Sequence, residues 1–426
     1  MDEILVEGSL TKVANRFGNM TSHIVYPESE EEVAMIVKEA NKDGQKLSIV
    51  SGGTKLGYGG IESDYDFTLS LKKLTGIVEH TAGDMTVTVK PGTTMQTLQH
   101  FLKQYNQMVP LDPAHSSTST IGGVVSANES GPRRLKYGAA RDHVIGMRVV
   151  YPDGKVIRTG GKVVKNVAGY DMNKLFIGAM GTLGVITEIT LKLRPLPKYS
   201  SIVTLRVQED ALHDLKAFIS HIQDSMIEPV SLEIVNPKLS KNLFQKEEYH
   251  LIIALEDVEK AVLFEEEWID ENKPTEAVMD VLNHTEDFWT TFNELTPNSQ
   301  NDFYETTSGV LKIGTTNMGV FQLLQECERL NRESNVDIFA HAGAGHGLST
   351  LIISGIPENL IQSIQYIQTF SEEHGGYGIV KHLPLAIRKQ LNVWGQPKGT
   401  FTLMRGIKQK IDPKNTLNKK RFIGGI

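Results

Sequence analysis

Residues 160–195, GGKVVKNVAGYDMNKLFIGAMGTLGVITEITLKLRP, constrain this chain more than any other stretch. Gly169, Tyr170 and Asp171 form a loosened loop that leads into a short apolar helix. Gly178, Gly181 and Gly184 then free the backbone again, and a strand follows. On that strand Val185, Thr187, Ile189, Leu191 and Leu193 take one face, and Glu188, Thr190, Lys192 and Arg194 the other. Bare backbone at this density carries a cost in chain entropy. It suits main-chain amides pressed against a large flat or anionic ligand better than it suits a plain structural domain.

A chain of 426 residues has room for two or three domains. Its 40% hydrophobic and 22% charged content is that of an ordinary globular protein, and its net charge of −7 argues against a nucleic-acid partner. The single cysteine, Cys327, excludes an internal disulfide and a four-cysteine iron–sulfur site, and it fits a reducing cytoplasm. No apolar run approaches the ~20 residues that cross a bilayer, so no direct membrane insertion is expected. The opening MDEILVEG lacks a signal-peptide layout.

The spacing predicts a helix over 29–43, with Ser29 and Glu32 as a capping box and an apolar stripe of Val33, Ile36, Val37 and Ala40. Short strands are predicted at 47–50, 67–71, 77–80 and 85–90, a helix at 93–105, and a hairpin from 143 to 158. Residues 112–123 read as irregular. The closely spaced prolines of Arg194-Pro195-Leu196-Pro197-Lys198 mark a boundary. Beyond it, strands at 201–207, 229–235, 249–255, 308–314, 336–342, 349–353 and 377–381 alternate with helices at 209–223, 257–271, 318–333 and 357–373. That order predicts split βαβ units on one antiparallel sheet.

Three loops carry chemistry. SGGTKLGYGG, from Ser51 to Gly60, follows a buried strand, and its consecutive amides can form a nest around phosphate. It has neither the G-x-G-x-x-G spacing of nicotinamide folds nor a Walker A ending, and an ordinary flexible turn is the alternative. LDPAHSSTSTIGGVVSAN, from Leu111 to Asn128, sets small hydroxyls before Gly122 and Gly123, with a Ser/Thr-rich surface loop as the alternative. In RRLKYGAARDHVIG, from Arg133 to Gly146, Arg141 and Asp142 are placed to pair and brace the loop.

Taken in order, SGGTKLG, DPAHSSTSTIGG, YGAARDHVIG and GYDMNKLFIGAMGTLGVITE resemble the FAD-binding half of the vanillyl-alcohol oxidase/p-cresol methylhydroxylase (PCMH-type) flavoprotein family. Residues 162–195 are similar, more narrowly, to the FAD-binding subunits of bacterial glycolate oxidases. The resemblance implies an α+β fold. A PCMH-type FAD-binding domain of two α+β subdomains would occupy 1–197. A ferredoxin-like FAD-linked oxidase cap would occupy 198–426, with its carboxy-terminal segment returning to the first domain. It implies FAD contacts from Ser51, Gly52, Gly53, Thr54, Lys55, Leu56, Gly57, Pro113, Ser119, Thr120, Gly122, Gly123, Gly138, Asp142, Gly181, Val185 and Ile186. Some relatives link FAD through a His or Cys in the loop matching Ser51 to Tyr58. This chain has neither there, so non-covalent FAD is expected.

HAGAGHGL, from His341 to Leu348, resembles a metal-binding stretch of related 2-hydroxy-acid dehydrogenases, but Ala344 and Leu348 stand where that pattern has Asp and its second His. With too few ligands left, no metal is expected. His341 and His346 remain as a metal-free base and orienting group, with Lys381, His382 or Arg388 to clamp a carboxylate. Alternatively, the two histidines are structural remnants. The function implied is oxidation of a small 2-hydroxy acid by an FAD-binding subunit that works with a second flavin subunit and an iron–sulfur subunit. A self-sufficient dehydrogenase and a non-catalytic assembly subunit are the alternatives.

Overall fold

A computed structural model describes residues 12–60, 64–161, 170–282, 284–300, 307–397 and 399–426. Gly169 and most of the loop before it therefore lie outside the described residues.

The helix Glu30–Asp43 forms where the apolar stripe requires it. Ser29 accepts the amide of Glu32, and Gly44 closes the far end at φ +75°. The reciprocal half of the capping box is displaced by one residue, because the Glu32 carboxylate takes the amide of Glu28. Val33 and Val37 are fully buried against Leu47, Leu69, Val150 and Val185. Each such burial stabilises by roughly 1.5–3 kcal/mol. Beneath this helix, Ile24–Val25, Phe67–Ser70 and Leu47–Val50 make a small parallel sheet with Phe67–Ser70 in the middle.

A second sheet has five antiparallel strands, in the order Ile77–Thr81, Thr86–Val89, Val185–Lys192, Val144–Val150, Val156–Gly160. The alternating strand Val185–Lys192 lies at its centre, with Thr187, Ile189 and Leu191 fully buried. These two sheets with their helices are the two α+β layers of the amino-terminal half.

The third sheet has eight antiparallel strands in the order Val278–Leu282, Tyr199–Val207, Tyr249–Asp257, Ser231–Val235, Asp337–Gly343, Leu348–Gly355, Thr307–Gly314, Tyr377–His382. Helices Leu212–Asp224, Glu259–Asn272, Gly319–Glu333 and Pro357–Glu373 contribute to the core on its outer face. Pairing puts Val235, His341, Thr350, Lys312 and Ile379 in one row across the opposite, inner face. That face looks onto the amino-terminal half: Leu135 packs under Gly345, and Arg133 pairs with Glu256 at 2.6 Å.

The chain then returns to the first half. Leu417 bridges Leu47, and Asn418 donates its amide to the Leu47 carbonyl. Lys408 anchors this return from a fully buried position. Its ammonium reaches Asp412 at 2.7 Å and the carbonyls of Thr182 and Leu417.

Several helices depart from the expectations above, four of them of seven residues or more. Ile121–Ala127 is a helix rather than irregular chain, because Thr120 caps it and Ile121, Val124 and Val125 bury against the five-stranded sheet. Pro237–Phe244, Thr285–Asn293 and Phe401–Ile411 were not anticipated, nor was the edge strand Val278–Leu282. Among the described residues, no helix is long and apolar enough to cross a membrane.

Candidate functional site: a nucleotide cleft and a cationic chamber

Between the small parallel sheet and the five-stranded sheet runs an open cleft. Ser51, Gly52, Gly53, Thr54, Lys55 and Leu56 line one side, and Thr120, Gly122, Gly123, Gly181 and Ile186 the other. Asn418 and Arg421, from the returning segment, close the floor. The loop Ser51–Lys55 follows strand Leu47–Val50 directly, so its amides emerge at a sheet end. Among the described residues the amides of Gly52, Gly53, Thr54 and Lys55 have no protein acceptor. The Ser51 hydroxyl is buried without a partner. Gly53 sits at φ +71°, a conformation side chains rarely adopt.

Two cations border these amides. Lys55 lines the cleft, and Arg421 spends its guanidinium on the carbonyls of Lys55 and Ile49 while its Nε has no partner. Burial holds both groups below their ordinary values. Unpaired amides and desolvated cations at one spot call for an anion. A dinucleotide's pyrophosphate meets that requirement, and bare glycines on both walls admit a planar ring system.

The remaining cofactor candidates fall elsewhere. Gly57 packs on the His382 ring and accepts the Leu383 amide. Ser119 is buried and donates to the Ala114 carbonyl at 2.8 Å, while Pro113 and Val185 are also buried behind the cleft walls. Asp142 accepts the Ala139 amide and fills the space beside Gly138. The expected Arg141–Asp142 pair does not form. Asp142 is committed to that helix start, and Arg141 turns outward to the Lys174 carbonyl. Sequence reasoning missed Asn418 and Arg421 as cleft residues, although both stand in a Lys/Arg/Asn-rich run, DPKNTLNKKR, that gave the signal.

Beyond Thr54 and Lys55 the cleft continues into a second chamber, lined by Tyr58, His115, Glu129, Asn298, Val310, Lys381 and His382. Lys381 forms an ion pair with the buried Glu129. Burial opposes the charge on Glu129, yet Lys381 and Lys55 outweigh it and bring its carboxyl down to about 2. Lys312, one strand over on the same inner face, has no hydrogen bond or ion pair among the described residues. Burial and the neighbouring Lys381 bring its ammonium down to about 8. His382 is packed on Phe17, with ring centres 5.0 Å apart. His115 is held from both sides, by Glu294 at 2.6 Å and Thr296 at 3.2 Å.

His341 and His346 share the buried carboxylate of Glu233. His341 Nδ1 lies 2.8 Å from it, and His346 Nε2 lies 3.6 Å from it. Burial pushes the Glu233 carboxyl up, but the two imidazoles prevail and keep it low. With Nδ1 donating to Glu233, His341 keeps Nε2 as its basic nitrogen. His341 and Lys381 share the inner face but stand three strands apart, about 14 Å. Lys312 lies between them, two strands or about 10 Å from His341. The candidate catalytic residues thus form a row rather than one cluster. Glu233, Lys312 and Glu129 were not anticipated. Arg388 is not a clamp, since it is buried and donates to the carbonyls of Phe17, Leu56, Gly60 and Leu383. Among the described residues no group of three or more His, Cys, Asp or Glu is placed to hold a metal ion.

Comparison with known proteins agrees with the cleft. Residues 21–160 match the FAD binding domain family. The glycolate oxidase subunit GlcD of Bacillus subtilis (strain 168) is 33% identical over 263 residues, which are 62% of this chain and 54% of that protein. The glycolate oxidase subunit GlcE of Escherichia coli (strain K12) is 41% identical over 134 residues, 31% of this chain and 38% of that protein. A D-2-hydroxyglutarate dehydrogenase of Xanthomonas citri pv. viticola is 33% identical over 182 residues, 43% of this chain and 39% of its own length. The chain thus matches about half or less of these relatives' length. In fold it is similar to 4-ethylphenol oxidase from Gulosibacter chungangensis, with a TM-score of 0.75 at 18% identity, covering 97% of this chain and 92% of that one. The unpaired amides of Gly52 to Lys55 lie inside residues 21–160, the segment that is similar to the FAD binding domain family.

Proposed function

We propose that this chain is an FAD-dependent oxidoreductase for small 2-hydroxy acids, working as the flavin-binding member of a complex with an iron–sulfur subunit. The observation that carries the reading is the inner face of the eight-stranded sheet. It sets an ammonium with no partner among the described residues, Lys312, and a carboxylate-held imidazole, His341, on the same sheet face as Lys381, which lines the second chamber. The amides of Gly52 to Lys55, with Arg421 and Lys55, would hold the FAD pyrophosphate without a covalent link. When bound, FAD supplies the acceptor for two electrons and a proton.

The chain's own residues do the rest. Lys312 holds the substrate carboxylate by charge. His341 takes the hydroxyl proton on Nε2, and Glu233 stabilises the imidazolium that results. The inner sheet face covers the reacting centre and excludes water. Cys327 is the chain's single cysteine, so an iron–sulfur relay would have to come from another protein. The names of the glycolate oxidase subunits support a partnered enzyme.

The test is anaerobic reduction of the FAD-loaded protein by glycolate and lactate, alone and with the iron–sulfur subunit present. Bleaching of the flavin in either arm supports the reading. A flavin that stays oxidised in both contradicts it.

His341→Ala should retain its FAD and slow bleaching by about a hundredfold or more. Stopped-flow absorbance measures this, and an unchanged rate would exclude His341 as the base. The charge on Lys312 sets a pH dependence. Its ammonium is full well below pH 8 and lost as pH rises through about 8. The KM for the hydroxy acid should therefore be flat below neutrality and rise about tenfold per unit above that value. A KM that stays flat to high pH would show that another group holds the carboxylate.

A further inference from the structure

The chamber beside the nucleotide cleft contains a buried carboxylate, Glu129, that the mechanism above does not use. Glu129 follows the helix Ile121–Ala127 of the amino-terminal half, and its side chain crosses the chamber to Lys381 of the eight-stranded sheet. It is buried and it stays charged, because Lys381 and Lys55 outweigh the cost of burial. Lys381 is thereby neutralised. Lys55 stands at the boundary with the nucleotide cleft, where the pyrophosphate requires it. Arg134, which also faces Lys312, donates to Ser130 at 3.1 Å. Lys312 is the ammonium without a hydrogen bond or ion pair among the described residues, and it faces Glu129.

A ligand with one carboxylate matches that arrangement. A second carboxylate would have to sit beside Glu129 or displace it from Lys381. Two like charges about 6 Å apart repel by roughly 3 kcal/mol at the effective dielectric of such a site. We propose that Glu129 is a specificity-determining residue that restricts this chamber to 2-hydroxy and 2-oxo monocarboxylates and excludes dicarboxylates. The inference rests on the 2-hydroxy-acid reading and goes beyond it, since 2-hydroxy acids of both kinds exist.

The test separates binding from turnover. FAD-loaded protein is titrated with pyruvate and with 2-oxoglutarate, which occupy the site without reducing the flavin, and Kd is read from the change in flavin absorbance. Wild type should bind pyruvate at least about tenfold more tightly. Glu129→Gln should narrow that ratio by about tenfold or more. Lys381→Met, which leaves the Glu129 carboxylate unpaired, should widen it, so the proposal remains testable if Glu129→Gln fails to fold. A purely structural role would lower melting temperatures in both variants and leave the ratio alone. Wild type that binds 2-oxoglutarate as tightly as pyruvate, or binds neither, overturns the proposal, as does an unmoved ratio in either variant. Selective pyruvate binding with no reduction by any 2-hydroxy acid leaves the role of Glu129 standing and sinks the oxidoreductase reading. Equal reduction by lactate and 2-hydroxyglutarate does the reverse.

Discussion

Gly53→Val is expected to give a folded protein that retains less than about a tenth of its FAD. Each tenfold loss of affinity corresponds to about 1.4 kcal/mol. The left-handed backbone at φ +71° alone costs a side-chain-bearing residue roughly 1–2 kcal/mol, and a β-branched one more. Relief of that strain would rotate the Gly53 amide out of the nest, and the valine methyls would stand on the cleft wall. The fold itself should tolerate the change. The nearest atom to an added Cβ is the flexible end of Gln300, at 3.3 Å. Gly52 differs in this respect, because its Cβ would meet the Thr118 carbonyl at 2.2 Å and the loop would have to move. The flavin-to-protein absorbance ratio after purification reads the result, and a melting curve of the FAD-free protein confirms the fold. Wild-type flavin content in Gly53→Val would place the pyrophosphate elsewhere.

Arg388→Met should cost the FAD-free protein at least about 3 kcal/mol of stability. The guanidinium is fully buried and donates to Leu383 at 2.7 Å, Gly60 at 3.0 Å, Leu56 at 3.2 Å, and to Phe17. Those carbonyls come from the amino-terminal helix, the glycine loop and the end of the eight-stranded sheet. Methionine fills the volume but leaves all of them without this donor, in a place that water reaches poorly. The loop Ser51–Gly60 would lose its rear brace, so FAD affinity should fall with stability. Urea unfolding measures the first effect and FAD titration the second. A loss below about 1 kcal/mol would mean that the carbonyls find other donors.

The contrast between these two positions shows what was legible before the structure. Gly53 was readable because glycine clustering after a buried strand has a backbone meaning that survives without knowledge of the fold. The same holds for strand Val185–Lys192, whose period-two pattern matches its burial from Thr187 to Lys192, while Ile186 is buried as well. Arg388 was misread as a carboxylate clamp. Its partners are backbone carbonyls from positions as distant as Phe17, and no sequence pattern announces a carbonyl. Lys312 and Glu233 were missed for a related reason. Their place beside His341 is set by strand order, with Leu348–Gly355 lying between Asp337–Gly343 and Thr307–Gly314, and pairing of that range is invisible in local periodicity. The helix Ile121–Ala127 was hidden because Gly122 and Gly123 weaken helix propensity, while tertiary burial of Ile121, Val124 and Val125 overrides it.

The most direct measurement of the whole account is a crystal structure of the protein loaded with FAD. The account predicts pyrophosphate density against the amides of Gly52 to Lys55 and the Arg421 guanidinium, with the flavin ring directed toward Lys381 and Lys312. Density for the dinucleotide at any other place, or a ring turned away from the eight-stranded sheet, would contradict it.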